Sequence, residues 1–179
     1  RLSDARRSAA NIPGNVQVMT YDGLNRKLTT TRIITDTGDG DGAVVDTVTV
    51  EQVWDDSSRL ISQIDPGGNT TQYFYDPLNR PHTSTFADNT SVVRTRNAHD
   101  EVIGVVDPNG TVIASTFDRL SRERSKAITP GAGVSADTTA ETLDFDGLSR
   151  VTGASDDDST IARRYNSIHR IVEETLNGN

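Results

Sequence analysis

The residues best placed to do chemistry are three histidines, His82, His99 and His169, and a surplus of aspartates. An imidazole beside a carboxylate makes a general acid–base pair, and alternating Asp and Gly, as in Asp36-Thr37-Gly38-Asp39-Gly40-Asp41-Gly42, can set hard oxygen ligands around calcium. Neither pattern holds up. The histidines fall in different copies of a repeat, and His99 and His169 take positions that other copies fill with Leu, Asn or Ser, which marks surface variation. The acidic stretch lacks what an EF-hand template needs, an acid at 37 and Glu at 48, and has Thr37 and Val48 instead. Asp36, Asp39 and Asp41 are therefore read as a solvated hairpin tip, although they remain the chain's best calcium candidate. Asp156-Asp157-Asp158 also falls at an expected tip, where acids need no partner. With no cysteine there is no thiolate zinc site and no disulfide framework. A Ser/His/Asp triad is recognised by geometry and cannot be proposed from spacing. The chain is expected to be no enzyme and to need no cofactor.

Composition narrows the class further. Leu, Ile, Val and Phe make up about 22% of the 179 residues, close to the range in which chains stay disordered. Something besides bulk apolar burial has to organise the fold. A net charge of −8 disfavours nonspecific binding to nucleic-acid phosphates. No apolar run approaches the roughly 18 residues of a membrane span, and Arg1-Leu2-Ser3-Asp4-Ala5-Arg6-Arg7 is not followed by an apolar signal segment. The initial Arg and the internal Met19 suggest a piece of a longer polypeptide.

What positions these residues is a repeat. Its unit opens aromatic-Asp-x-Leu-x-Arg: Tyr21, Asp22, Leu24 and Arg26; Tyr75, Asp76, Leu78 and Arg80; Phe117, Asp118, Leu120 and Arg122; Phe145, Asp146, Leu148 and Arg150. Trp54, Asp55 and Arg59 form a copy without the Leu, and Tyr165, Ile168 and Arg170 a copy with Asn166 in place of Asp. Arg96-Asn97-Ala98-His99-Asp100-Glu101 is a degenerate copy that falls in register. Starts at 21, 54, 75, 96, 117, 145 and 165 give a basic period of 21 residues, with insertions of about 12 and 7 in two units. A second landmark, Asp65-Pro66-Gly67-Gly68-Asn69 and Asp107-Pro108-Asn109-Gly110, begins 11 residues into its unit, and Ile12-Pro13-Gly14-Asn15 resembles it. Residues 1–179 are read as one array of about seven repeats with a partial copy in 1–20.

Each unit reads as a β-hairpin, with strands near 59–64 and 70–75 and turns at 65–69 and 76–79. These strands are short and rich in β-branched and aromatic residues, and no helical periodicity persists beyond two turns. Pro presets one turn residue and a following Gly or Asn can take positive φ. The fifth position of the other turn holds Asn25, Ser58, Asn79, Asp100, Ser121, Ser149 and His169, mostly small polar residues suited to the left-handed region. Stacked copies turn each repeated position into a ladder. The aromatics are expected to form a stripe, Asp to accept from N–H groups two residues on, and Arg to pair with the Asp of its own or the next turn. Leu is expected to tuck under the turn, so that Leu78→Ala would cost about 2 to 4 kcal/mol.

These motifs, the Tyr-Asp-x-x-Gly/Asn-Arg signature and the Asp-Pro-x-Gly turns, resemble the Rhs/YD-repeat family over about residues 12–179. The resemblance implies an all-β fold in which hairpins join into a curved, spiralling antiparallel sheet. Such sheets form hollow shells in bacterial Rhs toxins, toxin-complex B and C components and teneurins. On that reading the chain is an arc of a larger shell in a secreted or cell-surface bacterial protein. It would enclose or present a cargo or toxin polypeptide, with neighbouring repeats as its nearest partners. The longer motif of the aspartate-based self-cleavage in such toxins is missing here, so no cleavage residue is carried over. A cell-surface adhesin whose exposed aromatics contact carbohydrate is the alternative. Open sheet edges on an acidic chain predict a monomer or weak dimer whose self-association rises with salt.

Overall fold

The computed structural model describes residues 3–6, 16–38 and 42–177, with the first of these segments described in its backbone alone. The Ile12–Asn15 turn and the acids Asp39 and Asp41 lie outside the described residues. Every regular element described is a strand, as the repeat predicts. The chain divides into two compact units, Arg1–Asn89 and Thr90–Asn179.

The first unit holds β1 (Ser3–Arg6), β2 (Val16–Tyr21), β3 (Lys27–Thr35), β4 (Val44–Trp54), β5 (Leu60–Ile64), β6 (Thr70–Tyr75) and β7 (Pro81–Thr85). Each strand pairs antiparallel with the next in sequence. The second holds β8 (Ser91–Arg96), β9 (Val102–Val106), β10 (Val112–Phe117), β11 (Glu123–Thr129), β12 (Ala140–Phe145), β13 (Val151–Ser155), β14 (Thr160–Tyr165) and β15 (Ile171–Leu176), paired in the same way. The spans of β5 and β6 and the turns around them match the repeat-based expectation.

Both kinds of turn share one geometry. In the 21–26 copy the Asn25 N–H donates to the Asp22 carbonyl at 3.1 Å and the Asp22 N–H to the Arg26 carbonyl at 2.9 Å. Asn25 sits at φ 62°. This is the pattern of a turn followed by a left-handed residue that creates a bulge, and the register shifts at the aromatic of the copy, between Thr20 and Tyr21. All seven fifth-position residues are left-handed, Ser and His included. In the Pro-containing turns the left-handed residues are Gly68 and Gly110, the fourth of each turn, while Gly67 and Asn109 keep negative φ.

The insertions follow the hairpin rule. The first lengthens β3 and β4 and closes with Asp36 N–H on the Ala43 carbonyl at 3.0 Å. The second forms the loop 130–139, where Gly131 lies so close to the Asn109 carbonyl that a Cβ would collide with it. Its N–H donates to the hydroxyl of Thr111, which is buried. At the other end of the loop, Asp157 accepts from Thr139 N–H, Thr139 hydroxyl and Ala140 N–H at 2.5, 2.8 and 2.9 Å. The acidic tip 156–158 therefore does have a partner, contrary to expectation, because the insertion brings unpaired N–H groups beside it.

Among the described residues no apolar side chain is buried. The two faces of the second unit still differ. Ile113, Leu143 and Ile161 are half-buried on one face, whereas Val112, Ala114, Thr142 and Ala162 are exposed on the other. Hydroxyls pair across strands, as in Thr116 with Ser125 and Thr142 with Ser155, both at 2.7 Å.

The expectation that Leu tucks under the turn fails. Leu24, Leu78, Leu120, Leu148 and Ile168 are 62–71% exposed, because the position is the third residue of the turn and lies at its tip, beyond the last strand pair. Leu78→Ala is accordingly expected to change stability by less than about 0.5 kcal/mol. Gly131→Ala should cost about 1–3 kcal/mol by overpacking against the 107–111 turn. Urea unfolding of both variants checks the contrast.

Candidate functional site

The repeated Asp and Arg form a clamp with an inward and an outward half. Within the turn, one oxygen of Asp22 accepts from Leu24 N–H and Arg26 N–H, both at 2.9 Å, and the other accepts from Arg26 Nε at 2.6 Å. Asp55, Asp76, Asp118 and Asp146 repeat the arrangement with Arg59, Arg80, Arg122 and Arg150. A turn brings these residues together because only three positions separate them. Where Asn replaces Asp the amide oxygen does the backbone half, as Asn97 and Asn166 show.

The other end of four of these guanidiniums reaches the following turn. Arg26 Nη1 donates to the Asp55 carbonyl at 2.6 Å and the Ser58 hydroxyl at 3.3 Å. Arg59 donates to Asn79 Oδ1 at 3.0 Å. Arg122 donates to the Asp146 carbonyl and the Ser149 hydroxyl, and Arg150 to the Asn166 carbonyl. The fifth-position side chain thus has a second task, accepting from the arginine of the preceding turn. Its small polar bias was the one signal of this in the sequence.

The aromatics alternate with these arginines where an aromatic stripe was expected. Arg59, Arg122 and Arg150 lie over the rings of Tyr75, Phe145 and Tyr165, at 5.3, 4.6 and 4.6 Å from the ring centres. The polar ring tips point back: Trp54 Nε1 donates to the Lys27 carbonyl at 2.8 Å, and the hydroxyls of Tyr75 and Tyr165 donate to the Leu60 and Val151 carbonyls at 2.9 and 2.8 Å. Neighbouring turns are therefore held by a forward arginine and a backward ring.

One joint is reversed. Glu101 stands in the arginine position, accepts from Asn97 Nδ2 at 2.5 Å, and is held below its usual range by hydrogen bonds from Ser121 and Asn97. An anion there accepts from the next turn's hydroxyl where the other joints donate to it. Arg96, in the aromatic position, donates to the Asp100 carbonyl at 3.0 Å.

This arrangement suits cohesion better than catalysis. The backbone N–H of the clamp arginine, then the arginine side chain, hold Asp22, Asp55, Asp76 and Asp146 below the usual carboxylate range against the opposing effect of desolvation. For Asp118 the arginine side chain is the larger cause. A carboxylate held by three donors is a weakened base. His82 pairs with the adjacent Thr83 hydroxyl at 2.6 Å; His99 and His169 lie at exposed turn positions. The described residues include no His/Cys/Asp/Glu group that could hold a metal, and no helix among them is long and apolar enough to cross a membrane.

The RHS Repeat family model matches residues 54–91. No curated protein matches the sequence. Solved structures do. A TcdB2-TccC3 complex without its hypervariable C-terminal region superposes with a TM-score of 0.72 at 13% identity over 89% of this chain, and the TcdB2-TccC3-Cdc42 complex with 0.73 at 13% over 89%. The Tc holotoxin pore of Photorhabdus luminescens gives 0.72 at 13% over 90%. This chain spans 9% of each of those chains. At such identity the likeness establishes the fold.

The clamp generates a pH dependence. Asp pKa values lie below their unfolded value of about 3.9, so the stabilisation is present above that value and is lost as pH falls through the lower folded values. Thermal melts should hold level above about pH 5 and fall steeply below about pH 4. Asp146→Asn should lower the midpoint at pH 7 and flatten the acid slope, since the amide keeps the backbone half and loses the ion pair with Arg150.

Proposed function

We propose that this chain, which carries an Rhs repeat at residues 54–91 and has the fold of Rhs shells, is a length of non-catalytic wall enclosing or presenting a cargo polypeptide in a secreted or cell-surface bacterial protein. The observation that carries this reading is the forward arginine clamp. The repeated charged side chains hold their own turn and the next one, as a wall requires and a catalytic centre does not.

One solved complex lacks a hypervariable C-terminal region that its name implies the full protein carries, and another includes Cdc42. A polypeptide cargo for this chain is our extension of that likeness. The face bearing Ile113, Leu143 and Ile161 is the better candidate for contact with cargo, being apolar and interrupted by Lys126 and Glu141, which pair at 2.9 Å. The adhesin alternative needs exposed aromatics that can contact carbohydrate. Arginines cover Tyr75, Phe145 and Tyr165, which leaves Phe74 and Phe86 as exposed rings.

A photo-cross-linking amino acid placed in the parent polypeptide at Ile113 or Leu143, and separately at Ala114 or Thr142, tests the reading. Cross-links to a distant segment of the parent are expected from the first pair and absent from the second. Absence from both positions, or binding of the isolated chain to glycans, would count against it.

A further inference from the structure

Leu is a poor choice for an exposed turn tip, where Asn, Gly, Asp and Ser are favoured, yet five of seven copies place Leu or Ile there. Neither turn formation nor core burial explains it.

In the second unit three such turns lie side by side, joined by Arg122 on Asp146 and Ser149 and by Arg150 on Asn166. Leu120, Leu148 and Ile168 form a row along this end of the strands. At two strands per step the knobs stand about 10 Å apart. A row of exposed apolar side chains repeated along one edge can contribute to a contact surface. Beside it Arg119 and Arg170 are exposed, and neither guanidinium has a partner among the described residues. Asp118, Arg119, Arg122, Asp146, Arg150 and Arg170 give these three turns a net charge of +2 in a chain of −8.

The opposite strand ends of the same unit are acidic. The 107–111 turn, the 130–139 loop and the 156–159 turn carry Asp107, Asp137, Asp156, Asp157 and Asp158, with no Lys or Arg, for a net charge of −5. They also present apolar surface, including the exposed Val134.

We infer that the Leu120–Leu148–Ile168 edge docks onto the acidic 107–111, 130–139 and 156–159 edge of a second copy of this chain. Unlike charges meet, and apolar knobs meet the Val134 loop. Because the two surfaces are at opposite ends of the strands, the contact is head-to-tail, and a docked copy still presents a free edge to a further copy. Three knobs against one loop fall short of the roughly 1,200 Å² that a stable interface buries, so the association is weak and grows with the number of turns engaged. Net charge alone predicts association that rises with salt. Docking of unlike edges reverses the sign.

Sedimentation velocity from micromolar to about millimolar protein at low and high salt tests this. Open-ended association is expected at low salt and a loss of at least tenfold in association constant at high salt. Arg119→Glu/Arg170→Glu and Asp137→Arg/Asp158→Arg should each be monomeric while keeping the parent's melting temperature, and an equimolar mixture of the two should associate again. Leu120→Ser/Leu148→Ser/Ile168→Ser should also be monomeric with an unchanged melt. A parent that stays monomeric throughout, association that strengthens with salt, variants that associate as the parent does, or a mixture that stays monomeric would each overturn the proposal.

Discussion

A sheet that buries no apolar side chain among its described residues has to find its cohesion along its own length, between each turn and the next. The arginine in the sixth position of the repeat supplies much of it. One edge of the guanidinium neutralises the Asp that shapes its own turn, and another donates to the carbonyl or side chain of the turn that follows. Arg is suited to this because its planar fork carries several donors in fixed directions and stacks on an aromatic face. Lys offers one charged point and no plane.

The energetic weight of the clamp does not lie in the ion pair alone. Such pairs at a partly exposed surface contribute little to stability, since water screens them and long side chains lose entropy on pairing. Here the carboxylate also satisfies two backbone N–H groups, which would otherwise be left open by the tight turn, and in three copies the guanidinium covers a ring. The same few atoms thus shape the turn, link it to its neighbour and shield an aromatic.

Departures from the repeat keep these connections by other means. Asn166 retains the backbone half of the clamp without a charge. Glu101 reverses the polarity of its joint, which works because a serine hydroxyl on the next turn can donate as well as accept. The 130–139 insertion is held between the Thr111 hydroxyl and the Asp157 carboxylate. Tolerance to insertion follows from the hairpin plan, since extra residues lengthen two paired strands or extend a tip without disturbing the next unit.

Local features were legible in the sequence. Strand spans, turn positions and the left-handed fifth residue follow from interactions within five or six residues, and the repeat showed them several times over. The Asp-to-backbone bonds and the pairing of Arg with its own Asp were legible for the same reason. What the sequence left open depends on residues brought together from 16 to 32 positions apart, such as Arg150 with Asn166 and Arg26 with Ser58. Sequence similarity among copies marks a position as repeated without saying which way its side chain points. Leu78 therefore looked like a core residue and stands at a tip, and the aromatics looked like a stripe and lie beneath arginines. Tertiary structure decided those directions, because strand pairing and the bulge at each aromatic set the orientation of every side chain that follows.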